Sequence, residues 1–432
     1  MIIPFQSIFI SLPIFIFTYL LIRPKLKTIF NPYYFPFFSL SASIGLMTYY
    51  YWNNTYNIKT LSYIEVILSY VFFVIGFIFA PSLKDSFKKK ILLKYNFEIN
   101  IFISFLAWLS LIFFIVFIIK IGFIPLMDDP TIVRTTQLKQ SGGIFKRFFP
   151  ILSNALFCIA FSLKFLPQRK KKKIRTVPFY LLMVLGSLLM LSLGTKSGII
   201  TILFLILIED TLLVHKKERN KRVNLYILLL VSFLLYALFI LYKDSGGKIL
   251  IALFSLYNRI AAFGDIGYYF ARANNYVDFE IADLLQFLSS DTLGLLRIQD
   301  YKPQLGAILY GVVNNSANLN GVGPNSQIIY LFSLTLPAII SIIFSFISGF
   351  IYYIFIYNIR LTSDMNFFSY FASLYINVLL IHLPIDPAFF IATIVSSLPL
   401  FFIIFISRLV YFSILSNQNK TNIISNKSLS KN

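Results

Sequence analysis

FEINIFISFLAWLSLIFFIVFII, residues 97–119, decides the fold. Apart from Glu98, Asn100 and two serines it is apolar throughout, and as a helix it is long enough to cross the roughly 30 Å hydrocarbon layer of a bilayer. No alternation at period two runs through it, so a barrel strand is excluded. In hydrocarbon every backbone N–H and C=O must be paired within the segment, which leaves the helix. Runs of the same kind recur along the whole chain. Hydrophobic residues make up 58%, charged residues only 13%, and the mean hydropathy is +0.79. A water-soluble protein of this length would leave much of that surface exposed. The reading is therefore an all-α, polytopic membrane protein.

Eleven spans are expected: residues 4–22, 33–52, 61–80, 97–119, 148–166, 177–193, 198–214, 225–242, one within 327–357, then 367–383 and 388–412. The stretch 327–357 is too long for one upright crossing and is expected to begin as an interfacial or tilted helix. Of the 38 Lys and Arg, 25 fall in alternate short loops and 13 in the opposite ones, and six of those 13 lie in one long segment. The positive-inside rule then places the N-terminus outside and the C-terminus inside. The organisation is residues 1–242 with eight spans, a long outer loop at 243–326, residues 327–412 with three spans, and a polar inner tail at 413–432. The first run has no basic leader and no small-residue cleavage site, so it reads as a span. The net charge of +21 follows from the inner-loop bias. Scattered over short loops, it does not read as nucleic-acid binding. The cluster at residues 169–173 reads as a topology anchor, with anionic lipid head groups as the alternative. Cys158 is the single cysteine, so no disulfide framework is expected.

Three outer elements carry polar chemistry. The loop 120–147 offers Asp128 and Asp129 as metal ligands or a base, and Arg134, Lys139, Lys146 and Arg147 as anion ligands; ordinary snorkelling cations are the alternative. The turn Gly194-Thr195-Lys196-Ser197-Gly198 can form an anion nest, although a lone Lys there is more often an anchor. It is not a nucleotide loop, because the spacing is wrong and no strand precedes it. The long segment shows helical periodicity in two amphipathic pieces, carries Arg259, Arg272, Arg297 and Lys302, and ends in an Asn/Gly-rich stretch that includes Asn325. Six cations there face seven acids, so it is no simple lysine shield. Tyr257, Tyr268 and Tyr269 could stack on sugar rings, although an interfacial belt accounts for most tyrosines near span ends. His382 and Asp386 form either a catalytic pair or a helix cap. No Cys/His set could hold zinc, and no cofactor is expected.

Four pieces carry a family resemblance: GFIPLMDDPTIVRTTQLKQSGGIF (122–145), LSLGTKSGIITILFLI (191–206), LLRIQDYKPQLG (295–306) and GVGPNSQIIYLFSLTLPAIISIIFSFISG (321–349). The chain resembles the bacterial O-antigen polymerases, or oligosaccharide repeat unit polymerases. Lys196 stands where that family usually has Arg. The resemblance implies a bacterial inner-membrane glycosyltransferase with a periplasmic N-terminus, a periplasmic long loop and a cytoplasmic C-terminus. Such a protein moves a growing chain from undecaprenyl pyrophosphate onto a new lipid-linked repeat unit. It implies the lipid bilayer and a lipid-pyrophosphate-linked oligosaccharide as partners, with a chain-length regulator and a flippase beside them. Arg134, Arg259, Arg272, Arg297 and Lys302 are then expected to stabilise the leaving pyrophosphate, with Lys196, Arg147 and Asn325 binding substrate. Asp128, Asp129, Asp265 and His382 are the candidate bases. A ligase using the same donor, a lipid-linked oligosaccharide flippase and a structural membrane protein are the competing readings.

Overall fold

The computed structural model describes residues 4–27, 31–81, 97–121, 143–163, 172–192, 201–208, 235, 238–239, 241–242, 246–261, 265–273, 277–295, 303–315, 325–358, 367–402 and 406. Among the described residues the chain is helical, with no strand. In chain order the helices are α1 Ser7–Leu26, α2 Tyr34–Trp52, α3 Thr60–Phe79, α4 Phe97–Ile121, α5 Gly143–Leu163, α6 Lys172–Ser192, α7 Ile249–Ala261 and α8 Ile266–Ala273. They continue as α9 Ile281–Leu295, α10 Leu305–Asn314, α11 Ile328–Thr335, α12 Ala338–Asn358, α13 Phe367–Leu380 and α14 Pro387–Phe402. Among the described residues, four helical stretches are long and apolar enough to cross a membrane: Ser7–Leu26, Thr60–Phe79, Ile103–Lys120 and Ala338–Tyr357. Their side chains face outward in quantity, as Phe9, Phe17, Ile112, Ile119, Ile339 and Ile343 do, which suits a lipid surround.

Two compact units form. One comprises Met1–Ser86, Ile206–Leu361 and Ile376–Ala392; the other comprises Phe87–Leu205, Thr362–Tyr375 and Thr393–Asn432. In the second unit, Ser153 donates to the Gly186 carbonyl at 2.7 Å, which holds α5 to α6. There too, the Tyr375 and Ser397 hydroxyls pair at 2.7 Å.

The first unit is built on α3 and α12. A Cβ on Gly76 would lie 2.0 Å from the Phe346 carbonyl oxygen, and one on Gly349 would lie 1.9 Å from that of Phe73. The two backbones touch because both positions lack a side chain, the usual device where lipid supplies no drive to bring helices together. Ser69 meets Ser341 near one end and Phe77 meets Tyr353 near the other, so the two helices run in the same direction. Phe37 of α2 packs with Phe73, Phe77 and Tyr352. Several buried polar groups on these helices are paired internally. Tyr70 bonds both Thr18 and Ser41, and Tyr33 bonds Asn377.

The stretch 327–357, read as too long for one upright crossing, is divided into two helices. α11 ends at Leu336, which has φ −118° and ψ 150°, and α12 begins after Pro337. A residue before proline is driven out of the helical region, and the proline has no N–H to continue the ladder. Just ahead of α11, Gln327 is fully buried. Its Nε2 donates to the Ser39 hydroxyl at 3.0 Å, and its Oε1 accepts from the Ser43 hydroxyl at 2.6 Å. The Ile328 N–H is taken by the Pro384 carbonyl at 3.0 Å.

Candidate functional site

α8 belongs to the segment read as a long outer loop, yet it does not lie only on the surface. A Cβ on Gly267 would lie 2.1 Å from the carbonyl oxygen of Ser43, midway along α2. Phe270 meets the Tyr330 ring at 5.1 Å. This inner face is apolar because it is buried. The opposite face carries Asp265, Tyr268, Tyr269 and Arg272, at i, i+3, i+4 and i+7, which stack along one side of a helix. Asp265 and Arg272 are therefore about 10 Å apart along the axis.

Two other segments bring rings to that face. After α2 the chain turns through residues 53–59, with Asn54 and Asn57 in the left-handed region at φ 49°. Asparagine tolerates that conformation, and Thr55 N–H bonds back to the Tyr50 carbonyl. The turn sets Tyr50 and Tyr56 5.0 Å apart and both within 6.0 Å of Tyr268. From α10, Tyr310 lies 5.6 Å from Tyr269, and Asn314 hydrogen-bonds the Tyr269 hydroxyl. Beside these five tyrosines, Arg272 Nη1 donates to the Tyr268 hydroxyl at 2.9 Å, and its guanidinium carbon sits 6.0 Å over the Tyr56 ring. Arg272 is exposed, and among the described residues no carboxylate pairs with it. The aromatic bed holds the fork, and no described carboxylate offsets its charge, an arrangement suited to an anion beside a stacked ring.

Burial pushes the Asp265 carboxyl up to about 7, against hydrogen bonds from its own N–H and that of Ile266. Burial, then the Asp265 charge, pushes the Tyr269 hydroxyl up to about 12, so it stays protonated. A folded Asp above its ordinary value of about 3.9 holds its proton more tightly than the unfolded chain does. That stabilisation is full below the unfolded value and is lost as pH rises through about 7, a change of up to about 4 kcal/mol. The unfolding midpoint of the wild type should fall between about pH 4 and pH 8. Asp265→Asn should flatten that slope, as a thermal-shift series across pH will show.

The other expected site residues divide by position. Arg134, Lys196, Arg297 and Lys302, with Asp128 and Asp129, lie outside the described residues. Arg259 is on α7, as is Tyr257, and Arg147 is on α5 in the second unit. Asn325 is exposed, and its carbonyl accepts the Gln327 N–H. Asp386 caps α14, its Oδ1 taking the Phe389 N–H at 3.1 Å, while the His382 ring packs edge-on to Phe389 at 5.3 Å. Of the two alternatives for Asp386, the cap is seen in its bond to the Phe389 N–H. Tyr50, Tyr56, Tyr310 and Asn314 join the site from distant segments that local spacing does not connect. An open groove of about 510 Å³ between residues 279–282 and 334–337 carries Glu280 and no cation, so it is poorly suited to an anionic head group.

No family model, curated protein or solved structure matches this chain.

Proposed function

We propose that the protein is a polymerase of lipid-linked oligosaccharide repeat units, working at the outer face of a bacterial inner membrane through about eleven spans. The observation that carries this reading is Arg272, unpaired by any described acid and held on a tyrosine bed, on the same helix face as Asp265 about two turns away. In this reaction the donor is already activated, so the protein has three tasks. It must hold a sugar, neutralise a departing pyrophosphate and take a proton from an acceptor hydroxyl. Tyrosine rings offer apolar faces to the sugar, and the guanidinium fork matches phosphate oxygens. Asp265, with its carboxyl near neutrality, suits the base, since proton transfer is most effective when the base titrates near the working pH. Of the remaining cations of the expected site, Arg259, Arg297 and Lys302 lie in the same unit and join the pyrophosphate pocket in this proposal, with Asn325 at the sugars. The parallel course of α3 and α12 is the one a third and a ninth crossing would have.

The test is the surface polysaccharide profile of a strain lacking the protein. Loss of long chains, with single repeat units still capped on lipid, is the expected result. Loss of every surface repeat unit would instead indicate a ligase or a flippase, and an unchanged profile would leave a structural role.

A further inference from the structure

A second polar cluster lies away from the tyrosines, where α3, α11 and α12 meet below the Leu336–Pro337 break. The Ser69 and Ser341 hydroxyl oxygens are 3.0 Å apart, Ser333 and Ser69 are 3.3 Å apart, and Ser333 and Ser341 are 3.5 Å apart. Hydroxyl hydrogen bonds prefer about 2.7–2.8 Å, so two sides of this triangle are wide for hydrogen bonding alone. Ser333 also donates to the Ile329 carbonyl at 2.8 Å, the shortest of its contacts, so its hydrogen is only weakly directed at the other two. Ser341 also bonds the Glu65 carboxyl. Glu65 Oε1 is buried and has no hydrogen-bond partner among the described residues. An acidic group within a membrane-crossing helix is costly unless something compensates it.

Three oxygens on one face of an octahedron lie about 1.4 times the metal–oxygen distance apart. Edges of 3.0–3.5 Å thus correspond to a cation at about 2.1–2.5 Å, the range of small hard ions held by oxygen. The donor set carries a single negative charge. A monovalent ion neutralises it, whereas a divalent ion would leave a net charge in a poorly solvated place. We propose that Glu65, Ser69, Ser333 and Ser341 form a binding site for a small monovalent cation, with sodium as the ion of matching charge and size. The site is separate from the glycosyl-transfer chemistry and pins the broken helix to α3.

The experiment uses the purified full-length protein in detergent, with sodium chloride replaced by choline or potassium chloride at fixed ionic strength. A saturable rise of the unfolding midpoint with sodium, absent with choline and weak with potassium, is expected. Radioactive sodium should bind at one ion per chain. Glu65→Gln and Ser341→Ala should remove the saturable part. Equal midpoints in sodium and choline would overturn the assignment, as would a sodium response that survives in Glu65→Gln. A midpoint indifferent to sodium whose pH dependence is reduced in Glu65→Gln would mean that Glu65 holds a proton instead, and would overturn it too. The wild-type comparison needs no variant and decides the matter even where a substitution prevents folding.

Discussion

On the proposed polymerase reading, Arg272→Ala will reduce chain elongation by the purified protein by on the order of 10²-fold or more, the usual loss when one preorganised donor to a developing charge is removed. The expectation rests on how the side chain is held. Tyr268 fixes one end of the guanidinium at 2.9 Å and Tyr56 lies beneath it, so little rotational freedom remains to be lost when the substrate arrives. Arg272→Lys keeps the charge but presents a single point where the fork presents two parallel donors, and should recover only part of the rate. Tyr268→Phe keeps the ring and removes only the acceptor, so its loss should be smaller than that of Arg272→Ala. Undiminished elongation by Arg272→Ala would remove this site from the mechanism.

Gly349→Ala will lower stability by about 3 kcal/mol or more, a large penalty for one methyl group. The added carbon would lie 1.9 Å from the Phe73 carbonyl oxygen and 2.8 Å from its carbon. Both obstacles are backbone, so no rotamer change relieves them, and α3 and α12 must separate. Separation loosens the packing of Phe73 and Phe77 on Tyr352 as well as the contact between Ser69 and Ser341. Ile347→Ala, on an exposed face of the same helix, is the control and should change stability little. Thermal unfolding followed by size-exclusion profile compares them. A Gly349→Ala variant as stable as the control would contradict the close approach.

The helical character of the chain was legible because bilayer-length apolar runs leave the backbone one way to satisfy its polar groups. The stretch 327–357 was read from its length as beginning with an interfacial or tilted helix, and the local restriction that Pro337 places on Leu336 is what divides it. At the candidate site, Arg272, Tyr268, Tyr269 and Asp265 were readable from charge and aromatic type in one periodic segment. Tyr50, Tyr56 and Tyr310 were not, because their role comes from packing between segments, and a tyrosine near a span end looks the same whether it faces lipid or a neighbouring ring. Gln327 and the serines of α2, α3 and α12 were passed over for a related reason. Small polar residues carry no distinctive pattern until their partners are placed.

The clasp of Gln327 on Ser39 joins residues 288 positions apart. A ribosome adding about 5–20 residues per second needs about 15–60 s to make that length of chain. Throughout that interval α2 has been made and the glutamine that bridges its Ser39 and Ser43 hydroxyls has not. The nascent protein is thus dependent, for a good fraction of a minute, on whatever shelters that helix during biosynthesis. A chain that ends before residue 327 lacks the one side chain that ties the Ser39 and Ser43 hydroxyls of its second helix to a distant segment.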